Sequence, residues 1–528
     1  MSDAFLSLLS KHPSRVESSL AKELFSKMPD SYKSWVSEDT FIEFMATTRR
    51  NTLYWYDYEA GGKNARTAPV MQHAAIRTDE ALRVIDEPLD IYCKLHGDKL
   101  PHPEAIAITK INPMHCLMNG VPEPIFFRMI LAEMSVPSTC SVGYNSMKYD
   151  EEMTRFGLWR SNLPVYKREW KNGNSKWDLL TVTTGFRALY PGAMNWPIND
   201  KGKVSLKLED LSSAAGISQE NAHNALDDVK ALIDWGRFIK NSAPEYWDYA
   251  YQHRTKKQLQ GKIGYRTVVA VSKMLYGHEN NFISPALILG LDAKDKNKLL
   301  LVRLDNVEAL RDCWRTSVDD LRERLFMKKS ELEDLGLSRP PLDSVKLNQA
   351  PMIMSEGFLN NATNERGALI INDGARKLAN TLRNNPDFLD KLVSVMSSDF
   401  NDDPVTDPEM GLYSSFPSPD DDYSLGLSEN QKASEFYQSP MRWDNPNYLS
   451  LWQLGRCKMS GEGVNLTDDD IETWKEHCLV KLNKTPECDD DVYFDNVERL
   501  LNESNLSGDL KLGYTQFIEH VKNSVSKC

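Results

Sequence analysis

Apolar and polar positions along this chain follow two rhythms, one before and one after about residue 243. Thr52-Leu53-Tyr54-Trp55-Tyr56 is a β-branched and aromatic run of the kind strands favour, closed by Gly61-Gly62, and Cys140 to Tyr144 reads as another short strand. Ile125 to Leu131 and Leu206 to Ile217 carry helical periodicity, and Ala225, Val229, Leu232 and Ile233 recur at the spacing of one buried helix face. Strands alternating with helices over residues 51–243 predict an α/β unit. Beyond it Tyr265 to Val271, Ala286 to Leu289 and Leu299 to Leu304 are short β runs separated by turn residues, which predicts a small barrel-like domain within 244–398. Residues 399–424, rich in Asp, Pro and Ser, predict an acidic linker or loop. Residues 425–528, including Ile471 to Leu479, predict a helical domain, and residues 1–50, broken by Pro13 and Pro29, predict a helical extension.

Bulk properties narrow this picture. At 528 residues the chain is long for one core. No apolar run approaches the 18 or more residues a membrane span needs, and the N-terminus lacks a basic region before its short apolar stretch, so a cytoplasmic protein without membrane contact is expected. The eight cysteines show no C-x-x-C spacing, which predicts reduced thiols rather than a zinc site or a disulfide framework. A formal net charge of −13 argues against a nucleic-acid partner until its distribution is considered. From Arg237 to Lys273 there are eight Lys/Arg against two Asp/Glu, including Arg254, Lys256, Lys257, Lys262 and Arg266, whereas residues 399–424 carry eight acids and no base. Phosphates feel charges within roughly 8 Å at physiological salt, so a basic stripe can work on an acidic protein.

The candidate chemistry lies in Asp57, Glu59, Asp150, His223 and Asp228. Residues two apart on a strand share a face, which places Asp57 and Glu59 side by side. Asp150 falls on the first turn of a helix after the second strand, where it and the following Glu151 and Glu152 also suit the helix dipole. Asp228 is helix-borne, and His223 lies at or just before the start of that helix. Carboxylates converging on one point repel unless cations sit between them, and hard oxygen ligands select Mg²⁺ or Mn²⁺. The set predicts a magnesium site with one titratable histidine.

These residues resemble the DEDD exonucleases of the histidine variant, which share an RNase H-like α/β fold, and more narrowly the bacterial exonuclease I (exodeoxyribonuclease I) family. The resemblance is carried by Asp57-Tyr58-Glu59, Ala74 to Asp79, Gly143-Tyr144-Asn145 with Asp150 and Thr154-Arg155, Asn174 to Leu180, Asn195-Trp196-Pro197 and Asn221-Ala222-His223. It is dense from about Leu53 to Arg254 and thinner to about Pro386. Where the family usually reads Asp-Tyr-Glu-Thr-Phe-Gly, this chain has Asp57-Tyr58-Glu59-Ala60-Gly61-Gly62, and Lys207 stands where the family has an arginine.

The resemblance implies an RNase H-like exonuclease domain over 51–243, an SH3-like β domain with flanking helices over 244–398, and a C-terminal helical domain over 425–528. It implies Mg²⁺-dependent 3′→5′ hydrolysis of single-stranded DNA to 5′-mononucleotides in repair and recombination. Asp57, Glu59, Asp150 and Asp228 would hold two metal ions, and His223 would act as general base. Arg155, Tyr166, Trp170 and Lys207, with Glu59, fall at positions the family uses for the strand. Tyr249 and Arg383 match two positions that dock the acidic C-terminal tail of single-stranded-DNA-binding protein (SSB), and the protein is expected to act as a monomer. A DEDD ribonuclease or a proofreading exonuclease would share the same metal residues, but compact members of the superfamily end near residue 245. An inactive nucleic-acid-binding scaffold would be marked by a lost ligand, and none is lost.

Overall fold

The structure is a computed structural model that describes residues 51–217, 224–261, 263–362, 365–397, 405–414, 416–483 and 491–526, together with 37–47 and a few earlier positions. His223, Lys262 and most of the extension expected over 1–50 lie outside the described residues, as do Cys488 and Cys528. The chain divides into two compact units, one formed by Met1–Ser175, Gln219–Ile233 and Asp403–Cys528, the other by Lys176–Ser218 and Asp234–Asp402.

In the first unit, strands β1 (Thr52–Ala60), β2 (Val70–Asp79), β3 (Leu89–Tyr92) and β4 (Thr139–Gly143) lie in the order β3-β2-β1-β4. β1 pairs antiparallel with β2 and parallel with β4, so the chain must cross over between β1 and β4. Helix α1 (Glu123–Met134) belongs to that crossover and packs on helix α2 (Asp150–Arg160), which follows β4. The approach is close: a Cβ on Gly157 would fall 1.9 Å from the Phe127 ring. β1 runs to Ala60, just before Gly61-Gly62, and carries Asp57 and Glu59 within the strand as their spacing predicts.

The C-terminal segment packs into this unit. Helix α3 (Ala225–Ser242) places Ala225, Val229, Leu232 and Ile233 in the interior, as their spacing predicts. Leu412, Leu425, Tyr448 and Leu451 share a core with Tyr54, Tyr56, Phe126, Phe127 and Trp159. Helix α4 (Pro446–Lys458) supplies Tyr448 and Leu451 of that core, while from helices α5 (Asp468–Leu482) and α6 (Gly508–Ser526), Cys478, Leu482, Tyr514, Phe517 and Val521 join Met71, Leu95 and Ile106 in a second core. The exposed acidic linker expected over 399–424 is corrected for its described residues: Pro408–Tyr413 forms a 3₁₀ turn and Pro419–Asn430 a helix, with Glu409 and Asp421 buried. Composition misleads there because both acids are satisfied internally, Glu409 by lysines and Asp421 by backbone N–H groups of Ser418, Asp444 and Asn445.

The second unit contains an antiparallel sheet of β6 (Val268–Ser272), β7 (Ile283–Leu291), β8 (Lys298–Arg303), β9 (Leu342–Lys346) and β10 (Met352–Ser355) in the order β10-β6-β7-β8-β9, while β5 (Ser175–Asp178) spans the boundary between units in sequence. Val269, Val271, Ala286, Ile288, Leu299, Leu301, Val345 and Ile353 form its core, alternating along the strands. A register shift between Ile288 and Gly290 bends β7, and Gly290 takes φ +128°, which a side chain would resist.

Candidate active site

β1 divides its side chains by period two. Tyr54, Tyr56 and Tyr58 enter the core, and Asp57 and Glu59 occupy the alternate face. Each buried phenol then needs a partner, and each finds one: Tyr54 bonds His73 at 3.1 Å, Tyr56 donates to Glu151 at 2.7 Å, and Tyr58 meets Thr154 at 2.9 Å. His73 is buried, and burial pushes its pKa down to about 3.

At the end of β1 the strand register shifts between Glu59 and Ala60, and the chain turns through Gly61-Gly62. Gly61 admits no side chain, since a Cβ there would lie 2.5 Å from that of Pro101. Its N–H donates to Pro69 at 2.8 Å and its carbonyl accepts from His102 at 2.7 Å, while the Tyr149 hydroxyl donates to Gly62. The turn beside Glu59 is thereby fixed on both sides.

Asp57, Glu59 and Asp228 converge, with one carboxylate oxygen from each lying within 4.8 Å of the others. Burial, then the Asp228 carboxylate, pushes Asp57 up to about 7. Burial, with Asp57 and Asp228 behind it, pushes Glu59 up to about 9. Among the described residues neither Asp57 nor Glu59 has a Lys or Arg ion pair. The arrangement is electrically unfinished, and its donors are hard oxygens, which fits a divalent cation. Asp150 is not one of the three but is close: it is the first residue of α2, 7% exposed, and after burial it joins Glu59 and Asp57 in raising the Tyr149 phenol.

The expected strand-binding residues have different environments. Trp170 is 67% exposed, ending a 3₁₀ turn (Lys167–Glu169), and Tyr166 is half-buried at the start of that turn. Arg155 holds Glu169 through two bonds of 2.8 and 2.9 Å and also bonds Glu152 at 3.1 Å, with its guanidinium 5.6 Å from the Tyr166 ring centre. In the second unit, Lys207 is 3.2 Å from Glu209 on an exposed surface. Tyr249 stacks on Phe358 at 3.8 Å and accepts from the Ser355 N–H at 3.1 Å. Arg383 donates to the Arg266 carbonyl at 2.9 and 2.8 Å. Of the basic stripe, Lys273 pairs with Asp343 and Arg237 with Asp234, whereas Lys256 bonds the neutral Asn297 and Arg254 lies over Tyr251.

A second acidic group, Asp98 and Glu409 with His477, is equally tight. It is already compensated: Lys458 lies 3.3 Å from Asp98, 2.6 Å from Glu123 and 3.6 Å from Glu409, and Lys481 lies 2.7 Å from Glu409. Burial pushes these acids up, but Arg160, Lys458 and Lys99 outweigh it and hold Glu123 down at about 2. Lysines do the same for Asp98 and Glu409, which stay well below the usual carboxylate range. Sequence reading did not find this network or the buried Glu151–Arg168 pair, 3.0 Å apart. The tyrosine alternation in β1 was the available signal for the second.

Comparison with known proteins agrees with this architecture. Residues 54–235 match the Exonuclease family and residues 254–398 the Exonuclease I SH3-like domain. Exodeoxyribonuclease I of Haemophilus influenzae is 34% identical over 447 residues, 82% of this chain and 91% of that protein. The crystal structure of E. coli exonuclease I in complex with a dA16 oligonucleotide superimposes with a TM-score of 0.81 at 28% identity, covering 89% of this chain and all of that one. An SSB/exonuclease I structure with the inhibitor CFAM gives a TM-score of 0.74 at 26% identity over 90% of this chain and all of that one. An α/β exonuclease fold followed by an SH3-like domain and further helices, together with this degree of identity over most of a relative's length, shows that the chain belongs to the exonuclease I family of nucleases.

Proposed function

We propose that this protein is a Mg²⁺-dependent exonuclease that degrades single-stranded DNA from its 3′ end to 5′-mononucleotides and serves DNA repair and recombination. The observation that carries the reading is the convergence of Asp57, Glu59 and Asp228 without a lysine or arginine beside Asp57 or Glu59 among the described residues. Mg²⁺, with Mn²⁺ as substitute, would be held by these three and by Asp150 directly or through water. Bound as a pair, such ions acidify water and stabilise charge on the oxygens of a phosphodiester. The remaining work falls to the chain's own side chains. His223 accepts the proton of the attacking water, a role that suits a group with a reference pKa of about 6.5. Trp170 and Tyr166 offer ring faces to unstacked bases, worth about 1–3 kcal/mol per base in any sequence. Lys207 and Arg155 attract phosphates, and Glu59 borders the terminal nucleotide.

The assignment extends over the whole chain. Residues 51–243 are the exonuclease domain and 244–398 the SH3-like domain, with Arg254, Lys256, Lys257 and Arg266 steering the strand. The acidic tail of SSB docks near Tyr249 and Arg383; the likeness to an SSB/exonuclease I structure supports this, as does the absence of a carboxylate partner for Arg383 among the described residues. The protein acts as a monomer in the cytoplasm, a placement supported by six buried free thiols among the described cysteines. No described helix is long and apolar enough to cross a membrane.

Incubation of end-labelled single-stranded DNA, duplex DNA and RNA with and without Mg²⁺ tests the reading. Mononucleotides should appear from the 3′ end of single-stranded DNA only when Mg²⁺ is present. Equal cleavage of RNA, or hydrolysis in chelator, would overturn it. His223→Ala should lose about 10²–10⁴-fold in rate, and the rise of wild-type activity with pH through the histidine range should vanish.

A further inference from the structure

Glu151 stands between the metal-bearing strand and the turn that carries the exposed aromatic residue. On one side it accepts the Tyr56 hydroxyl at 2.7 Å, and Tyr56 is the neighbour of Asp57. On the other it holds Arg168 at 3.0 and 3.4 Å, with both side chains almost wholly buried. Arg168 lies in the 3₁₀ turn Lys167–Glu169, between Tyr166 and Trp170, and its guanidinium is 3.8 Å from Glu169. Glu169 in turn holds Arg155, whose guanidinium covers the Tyr166 ring. Glu151 also follows Asp150 at the start of α2. One continuous chain of buried charge-assisted bonds therefore runs from the strand of Asp57, past Asp150, to the Tyr166–Trp170 turn.

Packing and fold alone do not call for this. Tyr58 solves the same problem, a buried phenol on the same face of β1, with the neutral hydroxyl of Thr154. A buried ion pair is stabilising only when its geometry is complete, and apolar residues would fill the space at no loss. What the pair supplies that apolar side chains could not is fixed direction at both ends.

We propose that Glu151 and Arg168 are positioning residues that make the placement of Asp57 and Asp150 and the placement of the Tyr166–Trp170 turn interdependent. This rests on the functional reading given above. Disturbing either end of the chain shifts the other: loosening the strand side weakens the grip on a single strand, and loosening the turn side weakens the metal site.

Two mild variants of the full-length protein test it. Tyr56→Phe removes one hydroxyl, whose described hydrogen bond goes to Glu151 and not to the turn; Arg168→Lys keeps the charge and loses the two-pronged contact with Glu151, and no described hydrogen bond joins Arg168 directly to β1. Two measurements are made on each, anisotropy of a labelled oligo-dT in EDTA and the Mg²⁺ concentration giving half-maximal hydrolysis, with thermal midpoints recorded alongside. The expected result is crossed: Tyr56→Phe weakens oligonucleotide binding in EDTA, and Arg168→Lys raises the half-saturating Mg²⁺, each by about two- to tenfold, the size of one intramolecular hydrogen bond. The double variant should show less than the sum of the single effects. If each variant alters only its near readout, or only the thermal midpoint, the two residues merely support the fold and the proposal is overturned. A wild-type protein without Mg²⁺-dependent hydrolysis would instead overturn the functional reading, so the two failures are told apart.

Discussion

Two groups of buried carboxylates occupy the same compact unit and differ in what faces them. Around Asp98, Glu123 and Glu409 stand Lys99, Lys458, Lys481 and Arg160, and the acids are held strongly acidic. Around Asp57 and Glu59 the described neighbours are Asp228 and each other, and both acids are pushed up toward and beyond neutrality. Close carboxylates are thus not in themselves a sign of a metal. The first group is a finished structural joint between the strand-bearing residues and the C-terminal helices. The second has no cationic partner for Asp57 or Glu59 among the described residues, and the proposed Mg²⁺ would supply that charge.

Breaking the joint should have the largest effect. Lys458→Met strands Asp98, Glu123 and Glu409 in the interior, and loss of one partner of a buried ion network costs about 3–5 kcal/mol. Urea unfolding should show this loss in EDTA and in Mg²⁺ alike. At the open group the same kind of change has the opposite sign. Asp57→Asn should lower the hydrolytic rate by at least about 10²-fold, as expected for removing a principal source of transition-state electrostatics, yet leave the thermal midpoint in EDTA equal or higher because a repulsion is relieved. A lowered midpoint in EDTA would erase the contrast between the two groups.

pH separates them more gently. Asp57 and Glu59, raised to about 7 and about 9, keep protons in the folded chain that the unfolded chain has released above its ordinary carboxylate range. Metal-free stability should therefore fall as pH rises from about 4 to about 9, and Mg²⁺ should flatten that fall by binding the folded form. Glu123, held at about 2, contributes stability above its unfolded pKa that is lost as pH drops toward 2. Thermal midpoints across pH with and without Mg²⁺ check both signs. The smallest effect concerns charges that neither group uses: changing Lys256 and Lys257 together to Ser should reduce the salt dependence of single-strand binding by about 0.7 per lost phosphate contact. Cleavage of a short oligonucleotide should stay close to wild type.

Much of the open group was legible in the sequence because it obeys local rules. Asp57 and Glu59 share a face by strand alternation, Asp150 begins a helix after a glycine-closed strand, and Asp228 rides a helix whose apolar spacing is clear. The joint was illegible for the converse reason. Its partners Glu123 and Lys458 lie more than 300 residues apart and meet at 2.6 Å, and no local pattern distinguishes a lysine that will be buried beside three acids from one in water. The same holds for residues 405–424, whose acidic composition suggests solvent although Glu409 and Asp421 are interior. Arg155 illustrates a middle case, since its position was evident but its commitment to Glu169 was not.

The first unit is discontinuous in the chain, and that has a consequence in time. Met1–Ser175 cannot complete its cores or neutralise its interior charges until Asp403–Cys528 has been made, with Lys176–Asp402 still to be synthesised between them apart from the short Gln219–Ile233 insert. At about 5–20 residues per second, making Lys176 to Cys528 is a wait of roughly 18–70 s during translation. The β-rich unit, whose strands β6 to β10 are contiguous in sequence, can pair in the meantime. The face bearing Asp57 and Glu59 thus gains its full support only when the last helices of the chain emerge.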